Sequence, residues 1–365
     1  MKFAVRPLWR QTNVALLAVG LLLAACAAGP QQAAARDAPG SFAPLVKRVL
    51  PTVVNIAVTE TVSGKELLNQ LPPELRDTPL GREFRRRFGE KSAETTSAGS
   101  GFIVDPSGII VTNRHVIDHG DNIKVALADG SELPARVIGT DELTDVAVIQ
   151  VTTPRPLPAI SWGDSRAVEV GDWILAAGNP FGLGGSVTAG IVSARGRDLG
   201  AGPFDNFLQI DAPINPGNSG GPAFNMDGEV VGMTTAIVTP SGGSVGIGFA
   251  IPSEIIRPIV DELRAKGRID RGWLGVVLRD QEEAGNAAGP MIVRVERNSP
   301  AARAGLRTGD IVIGMNSEAI DSSRALIRAV AAVPPGEQVR LRVRRQTHEL
   351  DVPVTVGRRP DGLGE

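Results

Sequence analysis

Short runs of Val, Ile, Leu and Ala, broken again and again by Gly, Pro, Asn and Asp, make up most of this chain after residue 44. Such runs are too short to be buried faces of long helices and too apolar to stand alone, so each must pair across a turn with the next. With 43 glycines, 27 prolines and only 4% aromatic residues, cores have to be filled by branched aliphatics and connections have to be tight. That texture predicts a mostly β chain built from antiparallel barrels, and 365 residues suffice for two or three compact units. One stretch departs from it. Ile255, Ile256, Ile259, Val260 and Leu263 follow helical spacing between a capping Ser253 and Gly267, which predicts a linker helix within 253–270. A net charge of −2 argues against dedicated nucleic-acid binding. The basic stretch Arg82 to Arg87 reads as the solvated face of an insertion at 59–98, in which Phe84 and Phe88 stand one helical turn apart.

Against this background one pentapeptide stands out. Gly217-Asn218-Ser219-Gly220-Gly221 puts a hydroxyl on backbone stripped of side-chain bulk. A turn of this kind exposes Ser219 Oγ and aims the nearby amides of Gly217, Asn218 and Ser219 at one point, as a developing oxyanion requires. Two further segments agree with it. Ser100 to Val104, the turn Asp105-Pro106-Ser107-Gly108 and Ile109 to Val111 read as strand, turn, strand, with His115 at the end of the second strand. Asp145 stands immediately before the β-type run Val146 to Ile149, where its carboxylate can fix the tautomer of a buried imidazole. The order His115, Asp145, Ser219 is that of a chymotrypsin-like triad. His119 and His348, the other two of three histidines, sit in polar surroundings and are assigned no chemistry.

Six blocks in register across residues 98–253 resemble the HtrA (Deg) serine proteases: Gly99-Ser100-Gly101-Phe102, Thr112 to Val116, Thr144 to Val148, Gly178-Asn179-Pro180-Phe181-Gly182, the Ser219 segment, and Gly246 to Pro252. The resemblance implies a chymotrypsin-like double β-barrel over 44–252, an active site in the cleft between barrels and assembly as a homotrimer. It places Ile214, Ala236 and Ile237 in the S1 pocket. Six residues before Ser219, where trypsin-type specificity needs a carboxylate, stands Pro213. Apolar walls cannot compensate a buried cation, so cleavage is expected after small aliphatic residues, in unfolded or regulatory protein chains. Asn218 cannot pair with an inserted α-amino group, so activation has to come from elsewhere. The segment Arg195 to Phe207 is the expected switch, with Arg197 at the position that in the family relays peptide binding.

Residues 271–357 resemble a PDZ domain, an α+β unit, on Gly272-Trp273-Leu274-Gly275-Val276 and on Asn298 to Val312. The resemblance implies capture of peptide C-termini by the amides of the Trp273–Val276 loop, with strand addition along an exposed edge. Leu274, Val276, Leu326 and Val330 are then placed to receive the last apolar side chain; the alternative is that Trp273 and Leu274 belong to the core. Residues 358–365 read as a tail.

At the other end, Lys2, Arg6 and Arg10 precede the apolar run Val14 to Ala25, the length of an export-signal core. Leu23-Ala24-Ala25-Cys26 resembles a bacterial lipobox, which implies export to the periplasm and a lipid anchor on Cys26, with 26–43 as a flexible spacer. Cleavage at a nearby alanine and an uncleaved membrane anchor are the alternatives. Cys26 is the only cysteine, so no internal disulfide is available. No metal or organic cofactor is called for. A proteolytically quiet chaperone or a peptide-sensing scaffold on the same fold is the rival reading.

Overall fold

The computed structural model describes residues 40–62, 78, 93–118, 120, 122–182, 184–200, 202–240, 242–281 and 289–360. Cys26 and the export signal, Arg82 to Phe88 and His119 lie outside the described residues. The chain divides at Ala43, and all the strands among the described residues lie in the unit Pro44–Glu365.

After helix α1 (Ala43–Val49), strands β1 (Val53–Val62), β2 (Ala93–Asp105) and β3 (Ile109–Asn113) lead into a single helical turn α2 (Arg114–Ile117). Strands β4 (Asn122–Ala126), β5 (Glu132–Asp141) and β6 (Val146–Val151) follow, and the six close into a barrel in the order β1-β2-β3-β6-β5-β4. Its interior is aliphatic, as the lack of aromatics requires: Val54, Ile56, Ile103, Ile110, Val125 and Ile149 are fully or almost fully buried. The β2–β3 turn forms as its Asp-Pro-Ser-Gly sequence dictates. Asp105 Oδ1 accepts from the Ser107 amide at 2.9 Å, and Gly108 takes φ +89°. The expected insertion is shorter than 59–98, because β1 and β2 continue into it: Thr59 pairs with Thr96 and Val62 with Ala93. The β-branched Thr59 and Thr96 favour the extended ladder.

Strands β7 (Ser161–Trp162), β8 (Trp173–Gly178), β9 (Ser186–Arg197), β10 (Phe207–Ile210), β11 (Pro222–Phe224), β12 (Glu229–Ile237) and β13 (Gly248–Pro252) form the second sheet. Its order β11-β8-β9-β10-β13-β12 closes through the β11–β12 pairing, with β7 added on β12. Ile174, Val192, Leu208, Ile210 and Val231 fill it. Helix α3 (Ser253–Lys266) packs on β5 and β6 of the first barrel and β12 and β13 of the second, burying Ile256, Val260 and Leu263 from the expected face. It ends on Gly267 at φ 73°, whose amide donates to Leu263 O. Its start differs from expectation. Ser253 does not cap it; the hydroxyl donates to Gly163 O at 2.8 Å and accepts from the Ser165 amide, tying the helix to the preceding barrel.

The remaining elements are β14 (Gly272–Trp273), β15 (Val276–Arg279), β16 (Met291–Val295), α4 (Pro300–Arg303), β17 (Ile311–Met315), β18 (Glu318–Ala319), α5 (Ser323–Ala331), β19 (Gln338–Arg345), β20 (His348–Thr355) and β21 (Gly357–Arg358). Six of them form a sheet, five in the order β15-β16-β17-β19-β20 with β18 paired to β17, so β15 lies at an edge. Ser299 and Ser322 cap α4 and α5 through the Ala302 and Ala325 amides. Leu274, Ile292, Leu326, Val330, Leu341 and Val354 share one core. Arg358, read as tail, pairs with Gly272 instead.

Candidate active site

Two side chains of the expected triad, His115 and Asp145, flank strands of the first barrel, and Ser219 lies in the loop between β10 and β11 of the second sheet. His115 lies on α2, one residue beyond the start of the turn that ends β3, and Asp145 immediately precedes β6. Pairing of β3 with β6, down to Asn113 opposite Val146, brings the two together. Asp145 takes a left-handed φ of 54°, a conformation that short polar side chains tolerate better than most. In that pose its carbonyl accepts from the Arg114 amide at 3.0 Å and from Asn113 Nδ2 at 3.1 Å.

The carboxylate then collects three donors. His115 N reaches Oδ1 at 3.0 Å, His115 Nδ1 reaches Oδ2 at 2.7 Å, and Thr235 Oγ1 donates to Oδ2 at 3.1 Å. A carboxylate only accepts, so the imidazole carries its proton on Nδ1 and leaves Nε2 free as a base. The imidazole is not buried as expected: it is 49% exposed, because a single helical turn at the edge of the first barrel carries it. Thr235 and Asn113, which the sequence reading missed, complete the support, with Asn113 Nδ2 also donating to Thr235 Oγ1 at 3.2 Å. Threonine and asparagine at strand ends are too common to signal this role.

Ser219 lies across Thr235 from this pair. Its hydroxyl donates to Thr235 O at 3.4 Å, and among the described residues no bond to His115 is formed. Nucleophile–base contacts of this kind often tighten only with substrate bound. The loop itself is as bare as its sequence implies. Gly217 has φ 95°, and a Cβ there would lie 2.6 Å from Pro180 Cβ. Beside the His115–Asp145 pair opens a cavity of about 260 Å³, lined by His115, Leu143, Leu199, Phe204, Ala236 and Ile255 among others. Of the three expected S1 residues it takes in only Ala236. Ile214 is 2% exposed and packs in the barrel core, with Ile237 partly buried against it.

Residues 99–233 match the family described as trypsin-like peptidase domain, and 272–356 match the PDZ domain. A probable periplasmic serine endoprotease, DegP-like, of Brucella melitensis biotype 1 is 41% identical over 372 aligned positions, spanning 92% of this chain and 71% of that one. A protein of the same description from Rhizobium meliloti is 41% identical, over 98% of this chain and 78% of its own. Among solved structures, a variant of the HtrA-type protease AlgW with a decapeptide superposes with a TM-score of 0.79 at 37% identity, covering 89% of this chain and 99% of that one. The chain belongs to the HtrA family. It is a serine endopeptidase with a trypsin-like domain followed by one PDZ domain, and the rival of a quiet chaperone on this fold is not favoured.

In this HtrA protease Arg197 is placed differently from the loop position expected for it. It is the last residue of β9, pairs with Phe207 and donates from Nε to Gln209 Oε1 at 2.8 Å. The loop proper begins at Asp198, which pairs with Arg324 of the PDZ helix α5. A buried pair also joins the domains: Arg271 donates to both oxygens of Asp141, at 3.1 and 2.5 Å, four residues before Asp145. In the PDZ loop, Leu274 is 4% exposed and belongs to the core, as do Leu326 and Val330, while Trp273 and Val276 are half-buried. Gly275 has φ 78° and no room for a side chain beside Ser299. The Leu274 and Gly275 carbonyls accept from the Ala301 and Glu296 amides, both at 2.9 Å.

Proposed function

We propose that this HtrA protease cuts unfolded or regulatory proteins of the periplasm after small aliphatic residues, with Ser219 as nucleophile, His115 as base and then acid, and Asp145 as its orienting partner. The observation that carries the catalytic reading is the three-donor clamp on Asp145, which fixes one imidazole tautomer beside the Gly217–Ser219 turn. Ser219 Oγ attacks the scissile carbonyl, His115 Nε2 takes its proton, and the amides of Gly217 and Ser219 receive the negative charge that develops on oxygen; Asn218 belongs to the same turn. The Asn218 amide itself is taken by Asn215 O at 3.0 Å, which leaves its two neighbours as the donors.

The apolar Ala236 in the cavity wall, with Pro213 where a carboxylate would attract a cation, supports small aliphatic P1 residues. The edge position of β15 and the tied-back carbonyls of Leu274 and Gly275 support capture of a peptide C-terminus along Trp273 to Val276. Control through the PDZ domain, with Arg197 as a relay, a homotrimeric state and a lipid anchor at Cys26 complete the reading. Incubation of the purified protein with an unfolded substrate, beside Ser219→Ala, followed by sequencing of the products, tests it. Fragments ending in Val, Ala or Ile that disappear with Ser219→Ala are expected; basic P1 residues would sink the specificity reading.

A further inference from the structure

We infer that Ser100 is the positioning residue of the oxyanion turn, its hydroxyl holding the backbone around Gly217 in the orientation that aims the Gly217 and Ser219 amides at one point. The inference rests on the reading of those two amides as the oxyanion donors.

Ser100 is 0% exposed, at the centre of β2. Its polar atoms are all engaged, and around the nucleophile. The hydroxyl donates to Gly217 O at 2.6 Å and accepts from the Asn179 amide at 2.8 Å. The Ser100 amide donates to Ser219 O at 2.9 Å, and its carbonyl accepts from Thr112 Oγ1 at 2.7 Å. One residue therefore grips the turn on both sides of Asn218. The grip extends to the facing wall: Asn55 Nδ2 donates to Asn179 O at 2.9 Å, so Asn179 is held through both its amide and its carbonyl. Pro180, next in the chain, is the residue against which Gly217 packs.

This hold matters because Gly217, at φ 95° and without Cβ, has little intrinsic preference to keep its flanking peptides in place. The peptide between Gly217 and Asn218 is fixed at its carbonyl by Ser100 and at its amide by Asn215 O. The next peptide is fixed through Asn218 O, which accepts from Thr234 Oγ1 at 2.6 Å and from the Gly221 amide at 2.9 Å. The one after is fixed through Ser219 O by Ser100 N. Ser100 thus supplies two of these constraints, and its hydroxyl is the side-chain group that restrains Gly217. An oxyanion site works by being oriented before charge appears, so loosening that restraint costs transition-state binding and leaves substrate binding intact. An alanine at position 100 keeps a side chain on the β2 backbone and loses the hydroxyl. No bond links Ser100 to His115 or Asp145 among the described residues.

The test compares wild type, Ser100→Ala and Ser100→Cys on a peptide substrate, and measures the affinity of a peptide aldehyde against the matching alcohol. Ser219 Oγ attacks the aldehyde carbon while His115 Nε2 takes its proton, the carbonyl π pair moves onto the aldehyde oxygen, and that oxygen, now negatively charged in the hemiacetal, occupies the oxyanion site. Ser100→Ala is expected to lower kcat about 10- to 100-fold with KM within about twofold, and to weaken the aldehyde by a similar factor while leaving the alcohol unchanged. Ser100→Cys keeps the shape with a weaker donor and falls between. The acid limb of the pH profile of kcat/KM stays where it is in wild type. A kcat within twofold of wild type for Ser100→Ala, or a parallel change in KM, overturns the inference. Should Ser100→Ala fail to fold, Ser100→Cys decides: reduced kcat at unchanged KM supports the inference, and wild-type kcat overturns it. If wild type itself binds the aldehyde no better than the alcohol, the oxyanion reading fails, which is a different outcome from failure of Ser100 alone.

Discussion

The Arg271–Asp141 pair lends itself to a double-mutant cycle because both charges are withdrawn from water: the side chains are 10% and 6% exposed. Arg271 approaches Asp141 with two parallel N–H donors, Thr144 Oγ1 donates to the same carboxylate, and the guanidinium carbon stands 4.3 Å from the centre of the Phe204 ring. Asp141→Leu leaves the guanidinium buried with only the ring to face, and Arg271→Met leaves the carboxylate with only Thr144. Removing one partner of a buried pair costs about 3–5 kcal/mol, since the remaining charge keeps its desolvation penalty without compensation. Removing both replaces two buried ions by apolar side chains of similar volume, which is often close to neutral. For a domain of about 150–250 residues each kcal/mol moves Tm by about 2–4 °C. Each single variant should therefore lower the first thermal transition by about 6–20 °C, and the double variant by less than either. Calorimetry on the full-length protein without peptide measures this. A double variant as unstable as the sum of the singles would falsify the argument, showing that each residue acts through contacts other than the pair.

Asp145→Asn should drop kcat by about 10⁴-fold at unchanged KM, because an amide facing Nδ1 permits the wrong tautomer; steady-state kinetics on a peptide substrate reads it. Thr235→Val removes one of three donors from the Asp145 carboxylate and should lower kcat about tenfold, a single charge-assisted hydrogen bond. In the PDZ domain burial works against an ionised Asp310, yet the hydrogen bonds from Arg345 and from the Arg307 amide outweigh it and hold its carboxyl below the usual range. A depressed folded pKa stabilises at neutral pH and loses that contribution as pH falls through the folded value. Arg345→Met should accordingly cost about 2–4 kcal/mol at pH 7, and progressively less as pH falls through the lowered folded value of Asp310, in urea titrations.

Legibility in the sequence followed how rare each residue type is in the place where it works. His115 and Ser219 could be picked out because histidine is scarce here, with three in the chain, and because a serine among glycines has few structural uses. The β2–β3 hairpin could be read because Asp-Pro-Ser-Gly admits few backbone paths. Thr235, Asn113 and Ser100 escaped notice for the opposite reason. Each is an ordinary polar residue in or beside a β-strand, and its role comes from partners 90, 32 and 117 positions away. The Ser253 error has the same root: the local pattern of a helix cap was present, but the hydroxyl met Gly163, 90 residues upstream, before it could serve the helix. In the sequence Arg271 marks no more than the start of the PDZ resemblance, since nothing local distinguishes an arginine that will be buried against Asp141 from one that will stay in solvent. Leu274 shows the limit of pattern in a different form. Alternation fixes that neighbouring side chains point to opposite faces, whereas which face becomes core depends on the helix packed over it, and here Leu326 and Val330 of α5 cover it. The chemistry of the site is written in its rare residues, and its precision is held by common ones whose meaning appears only when strand register brings distant carbonyls within reach.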